Sequence, residues 1–250
     1  MEQNPQLIEK TNDLISLILQ LSDEKLCNSL NFYRKSPFLL SYIIKSMSIL
    51  NQININNSQI SSAHTKDNLH GLSRMSLFLD IDETIAHKRK GSSNCNDIIL
   101  RPGIHNFLSN ITKKYDVYIF TAASKNHADQ ILRRIDPCFQ YFKKVFYRDS
   151  CKIIDQFYFK DLSFLNGSIN LSKTVIVDDN LVSFGMNLEN GILIKPFLGN
   201  MNDQELIYLE KYLDLLTKYS DVRIPLQESF HLNSLKQFVF KLYSSGSLSN

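Results

Sequence analysis

Apolar residues recur at intervals of three and four along the first fifty residues, which is the spacing of one helix face. The first stripe runs from Leu7 to Leu21. A second helix can begin at Ser22 and a third at Pro37, because serine caps helix starts and proline suits the first helical position. We therefore predict a helical N-terminal extension over residues 1–50 and, from its Asn, Ser and Gln content, a polar linker over 51–70. The helical stripes fit packing in a core, and a groove for a protein partner is the alternative.

From Gly71 onward, short apolar runs alternate with segments of helical spacing, which indicates a parallel sheet with crossover helices. We predict an α/β domain over residues 71–220, followed by a C-terminal helix and tail over 221–250. The predicted strands are 75–79, 98–100, 117–120, 144–147, 157–159, 174–177 and 191–194, and the predicted helices are 104–114, 125–135, 203–216 and 227–243. A basic, exposed turn is expected over residues 88–94.

Three of these apolar runs end at a polar residue, namely Asp80, Thr121 and Asp178. The carboxyl ends of parallel strands border the crevice where ligands bind, so these side chains are expected to converge. Asp82 follows Asp80 in D-x-D spacing, which puts a proton donor beside a nucleophile. Taken alone, this stretch also fits a solvated acidic turn. An EF-hand is excluded because the later ligands and the glycine are missing.

Lys160 also follows an apolar run and adds a cation to the expected cluster of acids and hydroxyl groups. Phosphoryl transfer needs this set of groups: an acid to attack phosphorus, positive charge near its oxygens, and Mg²⁺ held by carboxylates. The sequence therefore predicts a Mg²⁺-dependent enzyme that acts on phosphate esters.

Composition sets the remaining bounds. The 250-residue chain is 43% hydrophobic and 21% charged, as in ordinary globular proteins, and its net charge of +3 is too small to indicate nucleic-acid binding. Four scattered cysteines without a C-x-x-C pair predict reduced thiols in an intracellular protein, nuclear or cytoplasmic. The first ten residues lack signal-peptide character and the apolar runs are short, so no membrane span is predicted.

Five short motifs occur in a fixed order between residues 74 and 217. They are Asp80 to His87, Leu100 to Gly103, Tyr118 to Ala123, Phe159 to Ser163 and Val175 to Asp179. In these motifs the chain resembles the haloacid dehalogenase (HAD) superfamily of aspartate-nucleophile phosphatases. Within it, the chain resembles the FCP/SCP branch of carboxy-terminal-domain phosphatases, which includes NLI-interacting-factor-like and Dullard-related enzymes. The resemblance implies a HAD-like Rossmannoid three-layer sandwich around a central parallel sheet.

The resemblance also implies catalytic roles for four side chains. Asp80 is expected to attack phosphorus and form an aspartyl-phosphate. Asp82 is expected to protonate the leaving alkoxide and then to activate water for the second step. Thr121, with Ala122 beside it, is expected to bind the phosphoryl oxygens, and Lys160 to steady the charge on nucleophile and phosphate. Phosphate-monoester hydrolysis is among the slowest uncatalysed reactions. The large rate acceleration is therefore expected to need the metal ion, the lysine and the covalent intermediate together.

The implied Mg²⁺ ligands are Asp80, the backbone carbonyl of Asp82, and Asp178. Asp179 or Asn180 is expected to hold a metal-bound water. The small phosphatases usually have Asp-Asn-Ser-Pro where this chain has Asp178 to Leu181, so the roles of Asp179 and Asn180 stay open.

Three further side chains are considered for the site, and for two of them more than one role is possible. Arg148 either contacts the substrate phosphate or makes a surface ion pair. Arg101 is interpreted as structural, in a turn that enters a helix. Cys151 is expected to be a buried small side chain rather than a thiolate nucleophile, since no histidine is near it in sequence.

The connections between motifs bear on the substrate. The segment between Thr84 and Arg101 is short, whereas the SCP branch carries a small inserted sheet there that helps to bind the peptide, so no sequence preference is carried over. Neither the gap between Thr84 and Thr121 nor the gap between Thr121 and Lys160 has room for a separate cap domain, which selects small metabolites in many superfamily members. We therefore expect a capless protein serine/threonine phosphatase. Its substrate would be a phosphoprotein with a flexible segment, such as the C-terminal domain of RNA polymerase II.

Two other functions fit the same scaffold. The first is a catalytically weak or inactive binding module, like the mitochondrial import-receptor relatives of this branch. The retained Asp80, Asp82, Thr121, Lys160 and Asp178 favour an enzyme instead. The second is a nucleic-acid end phosphatase, which only the basic run Lys88-Arg89-Lys90 supports.

Overall fold

The computed structural model describes residues 37–53, 74–89, 97–165, 167–233, 235–237 and 240. Contacts divide the chain into two compact units, residues 1–61 with 227–250 and residues 62–226. The first two predicted helices, most of the predicted linker and the end of the tail lie outside the described residues. In the part that is described, no helix has the length and apolar character needed to cross a membrane.

The first unit contains helix α1, Pro37–Gln52. The predicted third helix is thus confirmed, with Pro37 at its first position. Ile43, Met47 and Leu50 are buried at spacings of four and three residues, so they form the apolar face of this helix. The helix takes in the first two residues of the predicted linker, because no glycine or proline follows Leu50 to end it.

The remaining elements follow in chain order. They are β1 (Met75–Leu79), β2 (Ala86–Lys88), β3 (Ile98–Leu100), α2 (Ile104–Ile111), β4 (Tyr115–Phe120), α3 (Lys125–Ile135), β5 (Phe142–Phe146), β6 (Lys152–Ile154), β7 (Phe157–Phe159), β8 (Thr174–Asp178), β9 (Gly191–Leu193), α4 (Glu205–Leu216) and α5 (Arg223–Phe230). Most predicted elements are confirmed within two or three residues. The predicted helix over 227–243 is an exception, because α5 begins at Arg223 and ends at Phe230, where His231 takes a left-handed conformation (φ 49°).

A five-stranded sheet with the order β5-β4-β1-β8-β9 is the centre of the second unit, and all its neighbouring strands are parallel. Strands β1 and β8 are buried along their whole length, as expected for strands covered on both faces. Strand β5 lies at the edge and exposes Lys143 and Lys144, which discourages pairing with another chain. The predicted α/β class, with a central parallel sheet flanked by helices, is confirmed.

Helix α2 shows how the flanking helices are built. Its buried residues, Ile104, Phe107, Leu108 and Ile111, fall on one face at helical spacing. Gly103 precedes it with φ of 81°, a left-handed conformation that suits glycine. The helix was predicted to reach residue 114, but the chain turns after Ile111 to enter β4, with the Lys114 N–H donating to the Ile111 carbonyl.

Two small antiparallel sheets accompany the central one, β2 with β3 and β6 with β7. The predicted strands 98–100 and 157–159 therefore belong to these small sheets and not to the central parallel sheet. Strand β7 closes a tight hairpin in which Asp155 takes the left-handed conformation (φ 54°) that two-residue turns require. Lys88, predicted in an exposed turn, is the last residue of β2.

The short connection between Thr84 and Arg101 contains the β2–β3 sheet, with Ala86 opposite Leu100. A small sheet is therefore present in this short segment, because three-residue strands suffice to form a pair. The described residues of this connection and of the one before Lys160 hold only such small sheets and single helices, which fits the prediction of a capless domain.

Candidate active site

The polar residues at the carboxyl ends of β1, β4 and β8, namely Asp80, Thr121 and Asp178, lie at one edge of the sheet, as predicted. The Asp80 N–H donates to the Val177 carbonyl at 3.0 Å, and the Thr121 N–H donates to the Phe146 carbonyl at 2.9 Å. Both hydrogen bonds continue the strand ladders by one residue beyond their ends. The pocket at this edge has a volume of about 630 Å³. It is lined by Asp80, Asp82, Glu83, Lys88, Thr121, Ala122, Ala123, Ser124, His127, Arg148, Lys160, Asp178, Asp179, Asn180 and Ser183.

Lys160 is fully buried between two carboxylates. Its Nζ lies 2.6 Å from Oδ1 of Asp80 and 2.5 Å from Oδ2 of Asp178. The backbone of Lys160 is held on both sides, because its N–H donates to the Ser183 carbonyl at 2.7 Å and its carbonyl accepts from Nδ2 of Asn187 at 2.7 Å. The sequence prediction that these charges converge is met by the geometry.

The electrostatics of this cluster are set by burial. Burial raises the pKa of Asp80 to about 7, although the Lys160 ammonium opposes the rise. Burial, together with the charges of Asp178 and Asp80, raises the pKa of Asp179 to about 8. Burial alone would lower the pKa of Lys160, but the two carboxylates outweigh it and raise that pKa. When the three carboxyl groups are ionised, the single positive charge of Lys160 does not balance them. A bound cation could neutralise the remaining negative charge.

Three carboxylates in the described part of the chain are close enough to share a metal ion. Asp80, Asp178 and Asp179 each offer one oxygen, and these oxygens lie within 4.8 Å of one another. Hard oxygen donors suit Mg²⁺. The donor set and its uncompensated charge thus fit the expected cofactor. The carboxylate of Asp82 lies outside this group, and the ligand role expected for its backbone carbonyl stays a prediction.

Thr84 links the first motif to the last. It is buried, and its Oγ1 accepts the backbone N–H of Asp179 at 3.2 Å. The N–H of Asn180 donates to Oδ1 of Asp178 at 2.8 Å. These bonds fix the backbone on which Asp178 and Asp179 stand, so the carboxylates are held in place before any ligand arrives.

Thr121, Ala122 and Arg148 form the other side of the pocket. Thr121 is buried, and its Oγ1 accepts the Ala123 N–H at 3.0 Å. Arg148 donates from Nε to the Ala122 carbonyl at 2.7 Å, and its guanidinium lies 5.2 Å from the centre of the Tyr158 ring. Arg148 also lines the pocket, and its contact with a substrate phosphate stays a prediction.

Cys151 lies close to the pocket, but its thiol is expected to be unreactive. Its Sγ lies 3.8 Å from the Thr121 carbonyl, and burial raises the pKa of the thiol to about 11. A thiol with so high a pKa is almost entirely protonated at neutral pH. The interpretation of Cys151 as a partly buried, unreactive side chain agrees with this.

His127 is a pocket residue that the sequence analysis missed. It lies in the first turn of α3, and its Nε2 is 2.8 Å from Oδ1 of Asp82. A signal was available, because the helix begins four residues after Thr121 and the first turn of a helix that follows a parallel strand lies at the ligand-binding edge.

The comparisons with known proteins identify the family of the chain. A family model described as NLI interacting factor-like phosphatase matches residues 75–223, more than half of the chain. The chain belongs to this phosphatase family, and its resemblance to the FCP/SCP branch is thereby confirmed.

Similar proteins carry names of more than one kind. The chain is 34% identical over 181 residues to "CTD small phosphatase-like protein 2" of Dictyostelium discoideum, which covers 66% of this chain and 31% of that protein. It is 30% identical over 161 residues to "Mitochondrial import inner membrane translocase subunit tim50" of Aspergillus fumigatus, covering 64% of this chain and 31% of that protein. The chain thus spans about a third of the length of these two curated relatives.

One solved structure is described as Fcp1, an essential RNA polymerase II CTD phosphatase. It has a TM-score of 0.43 and 19% sequence identity to this chain. The match covers 69% of this chain and 63% of that one.

The raised pKa values predict that the metal-free protein loses stability as pH rises. In the unfolded chain these carboxyl groups lose their protons near pH 4, whereas in the folded protein Asp80 and Asp179 keep theirs up to about pH 7 and 8. Between these limits the folded state binds more protons, so its stability falls with rising pH. Thermal unfolding from pH 5 to 8.5 in EDTA is expected to show this fall.

Asp179→Asn is the matched comparison, because it removes one of the carboxyl groups whose pKa is raised. Its metal-free unfolding temperature should decline less steeply with pH than that of the wild type. Adding Mg²⁺ should raise the wild-type unfolding temperature more at pH 8 than at pH 5.5, because at low pH protons compete for the same oxygens. A wild-type unfolding temperature that rises between pH 5 and 8 in EDTA would contradict this account.

Proposed function

We propose that this protein is a Mg²⁺-dependent protein serine/threonine phosphatase that works through an aspartyl-phosphate on Asp80. The observation that carries the proposal is the buried cluster in which the Asp80 carboxylate lies 2.6 Å from Lys160 and beside Asp178 and Asp179. Membership of a phosphatase family supports the reaction class. The phosphate specificity, the cofactor and the intermediate are our proposals.

In this mechanism Asp80 attacks phosphorus, the bond from phosphorus to the leaving oxygen breaks, and Asp82 gives its proton to that oxygen. Asp82, now a carboxylate, then takes a proton from the water that attacks the phosphoryl group, which returns Asp80 and releases inorganic phosphate. Thr121 and the backbone near Ala122 would hold the phosphoryl oxygens, and Lys160 would keep the attacking carboxylate oriented. Mg²⁺, held by Asp80, Asp178 and Asp179, would neutralise negative charge on the phosphoryl oxygens.

The substrate class follows from what borders the pocket. The described connections hold two small sheets and no separate cap domain, so a phosphate carried on a flexible protein segment could reach Asp80. Arg148 is exposed at the rim and could contact the phosphate or the peptide beside it. Phosphoserine or phosphothreonine in such a segment fits this description, and the C-terminal domain of RNA polymerase II is one candidate.

A second candidate function is a binding module with little or no turnover, favoured by the similarity to a protein named as a mitochondrial import subunit. The assembled Asp80, Asp82, Thr121, Lys160 and Asp178 argue for catalysis instead. A nucleic-acid end phosphatase has weaker support. Lys88 is the only described residue of the basic run that lines the pocket.

We also propose an intracellular location, nuclear or cytoplasmic, and a protein partner for the helical extension of residues 1–50. The scattered cysteines, without a C-x-x-C pair in the sequence, support the intracellular location.

Hydrolysis of phosphopeptides and of small phosphates tests the proposed substrate class. A phosphoserine peptide of about ten residues should be hydrolysed in Mg²⁺ with kcat/KM at least about tenfold above that for glucose 6-phosphate, because a flexible segment adds contacts at the rim. EDTA should abolish both activities and added Mg²⁺ should restore them. Equal kcat/KM for the two substrates would remove the argument for a protein substrate, and no hydrolysis of either would favour the binding module.

A further inference from the structure

His127 contacts the side chain to which the proposed mechanism gives the acid–base role. Its Nε2 lies 2.8 Å from Oδ1 of Asp82, and both side chains line the pocket. Asp82 is 39% exposed and His127 is 27% exposed, so the pair lies at the mouth rather than in the buried cluster. Among the described residues, His127 is the side chain that hydrogen-bonds to the Asp82 carboxyl group. The nearby ammonium group of Lys160 instead contacts Asp80 and Asp178.

The two residues differ in how firmly they are held. Asp82 lies just beyond β1 in an isolated bridge to Ala86, and its carboxyl group is partly exposed. His127 lies on α3, which is anchored by the buried Ala128, Ile131, Leu132 and Ile135. The hydrogen bond therefore ties a rotatable carboxyl group to a fixed helix.

An acid that protonates a leaving oxygen must keep one carboxyl oxygen within hydrogen-bond reach of it. A bond from the imidazole to Oδ1 limits rotation of the carboxyl group and leaves Oδ2 to carry the proton. A displacement of about 1 Å can slow a reaction by about 10²-fold, so such a restraint has a measurable effect.

We propose that His127 is a positioning residue for Asp82 and holds its carboxyl group in the orientation that protonates the leaving group. This inference rests on the proposed function, in which Asp82 is the acid. In the assisted step the bond between phosphorus and the leaving oxygen breaks, a bond between phosphorus and Asp80 forms, and the proton of Asp82 passes to the leaving alkoxide. His127 gives up no proton in this step and acts only through the hydrogen bond.

Varying the leaving group of the substrate distinguishes positioning of Asp82 from a merely structural role of His127. Phenyl phosphate releases a basic oxyanion that needs a proton, whereas p-nitrophenyl phosphate releases a stable one that needs little help. The quantity to measure is kcat/KM, because it reports the steps up to the first transfer of the phosphoryl group and excludes later hydrolysis of the intermediate. His127→Ala should lower kcat/KM for phenyl phosphate by about 10- to 100-fold, part of the 10²–10⁴-fold that acid catalysis contributes. It should lower that for p-nitrophenyl phosphate by less than about threefold.

Two further variants sharpen the test. His127→Gln should recover most of the lost activity on phenyl phosphate, because its side-chain amide can donate a hydrogen bond from a similar position. Asn126→Ala is the matched control, since Asn126 is the exposed neighbour on the same turn and does not line the pocket. It should leave both substrates unchanged. An equal loss on both substrates in His127→Ala, or no rescue by glutamine, would overturn the proposal.

Asp82→Asn separates failure of this inference from failure of the proposed function. If Asp82→Asn shows the selective loss on phenyl phosphate and His127→Ala does not, the inference about His127 is wrong and the role of Asp82 stands. If Asp82→Asn also shows no selective loss, the acid assignment fails and the inference fails with it. A wild-type protein that hydrolyses neither ester would overturn both.

Discussion

Asp80→Asn is expected to reduce phosphatase turnover by at least about 10³-fold, the largest effect of any substitution considered. The amide cannot attack phosphorus, and it also removes one of the three carboxylates that could hold Mg²⁺. The measurement is hydrolysis of p-nitrophenyl phosphate in saturating Mg²⁺. The variant should fold, because it replaces a carboxylate whose burial is already unfavourable with a neutral group of the same shape.

Asp214→Asn is the control for this prediction. Asp214 lies on α4, pairs with Lys114 near the surface and does not line the pocket, so the same chemical change there should leave turnover within about twofold. Asp80→Asn that keeps more than a tenth of wild-type turnover would exclude Asp80 as the nucleophile. Absent turnover in both wild type and variant would favour the binding module.

Chemical trapping distinguishes a nucleophile from a metal ligand. After reaction with radiolabelled p-nitrophenyl phosphate and an acid quench, the wild type should carry a protein-bound label that hydroxylamine removes, as expected for an acyl phosphate. Asp82→Asn should carry more label at steady state, because this leaving group departs with little help and the second step loses its base. Asp80→Asn should carry none. Label on Asp80→Asn would place the covalent intermediate elsewhere.

The sequence predicted the parts of the fold in which local pattern and tertiary role coincide. Strand Met75–Leu79 was predicted to the residue because it is a continuous apolar run covered on both faces. Helix Lys125–Ile135 was also predicted correctly, because its apolar face is evenly spaced. The hairpin of Lys152–Ile154 with Phe157–Phe159 was missed, because three-residue strands have no readable periodicity and their pairing depends on where the rest of the chain places them.

The candidate site divides in the same way. Asp80, Thr121 and Asp178 could be predicted to converge because each follows a strand of one parallel sheet, and the topology fixes where strand ends meet. His127 could not be assigned to Asp82 in this way, because their contact depends on how α3 is rotated about its own axis. Lys88 was assigned to a loop because its basic neighbours resemble a solvated turn, whereas its strand directs it to the pocket.

Arg101→Met is expected to give the largest loss of stability. The Arg101 side chain is fully buried, and its Nε and Nη2 lie 2.7 and 2.9 Å from the two carboxylate oxygens of Asp203, itself 8% exposed. Nη1 and Nη2 also donate to the carbonyls of Thr84 and Lys195, each at 2.8 Å. Methionine would leave a buried carboxylate and two carbonyl oxygens without these donors. Breaking one side of a buried pair typically lowers the free energy of unfolding by about 3–5 kcal/mol.

Lys114→Met is the control, because the Lys114–Asp214 pair is as close, at 2.6 Å, but its side chains are 47% and 43% exposed. Exposed pairs contribute about 0–1 kcal/mol, so urea unfolding should separate the two variants clearly. Arg101→Lys should lie nearer to Arg101→Met than to wild type, since an ammonium cannot reproduce the planar, two-pronged contact. The double variant Arg101→Met/Asp203→Leu should recover part of the loss, because it removes the unpaired carboxylate.

Arg101→Met should also affect the active site. The Thr84 carbonyl accepts from Arg101 while the Thr84 hydroxyl accepts from the backbone of Asp179, so the guanidinium supports the segment that holds a predicted metal ligand. Arg101→Met should therefore weaken Mg²⁺ binding as well as stability, whereas Lys114→Met should leave Mg²⁺ binding unchanged and cost at most about 1 kcal/mol of stability. Second-neighbour contacts of this kind commonly change metal affinity by about 10–100-fold. If Arg101→Met unfolds with a loss below about 1 kcal/mol and binds Mg²⁺ like the wild type, Arg101 is not the support that its four hydrogen bonds imply.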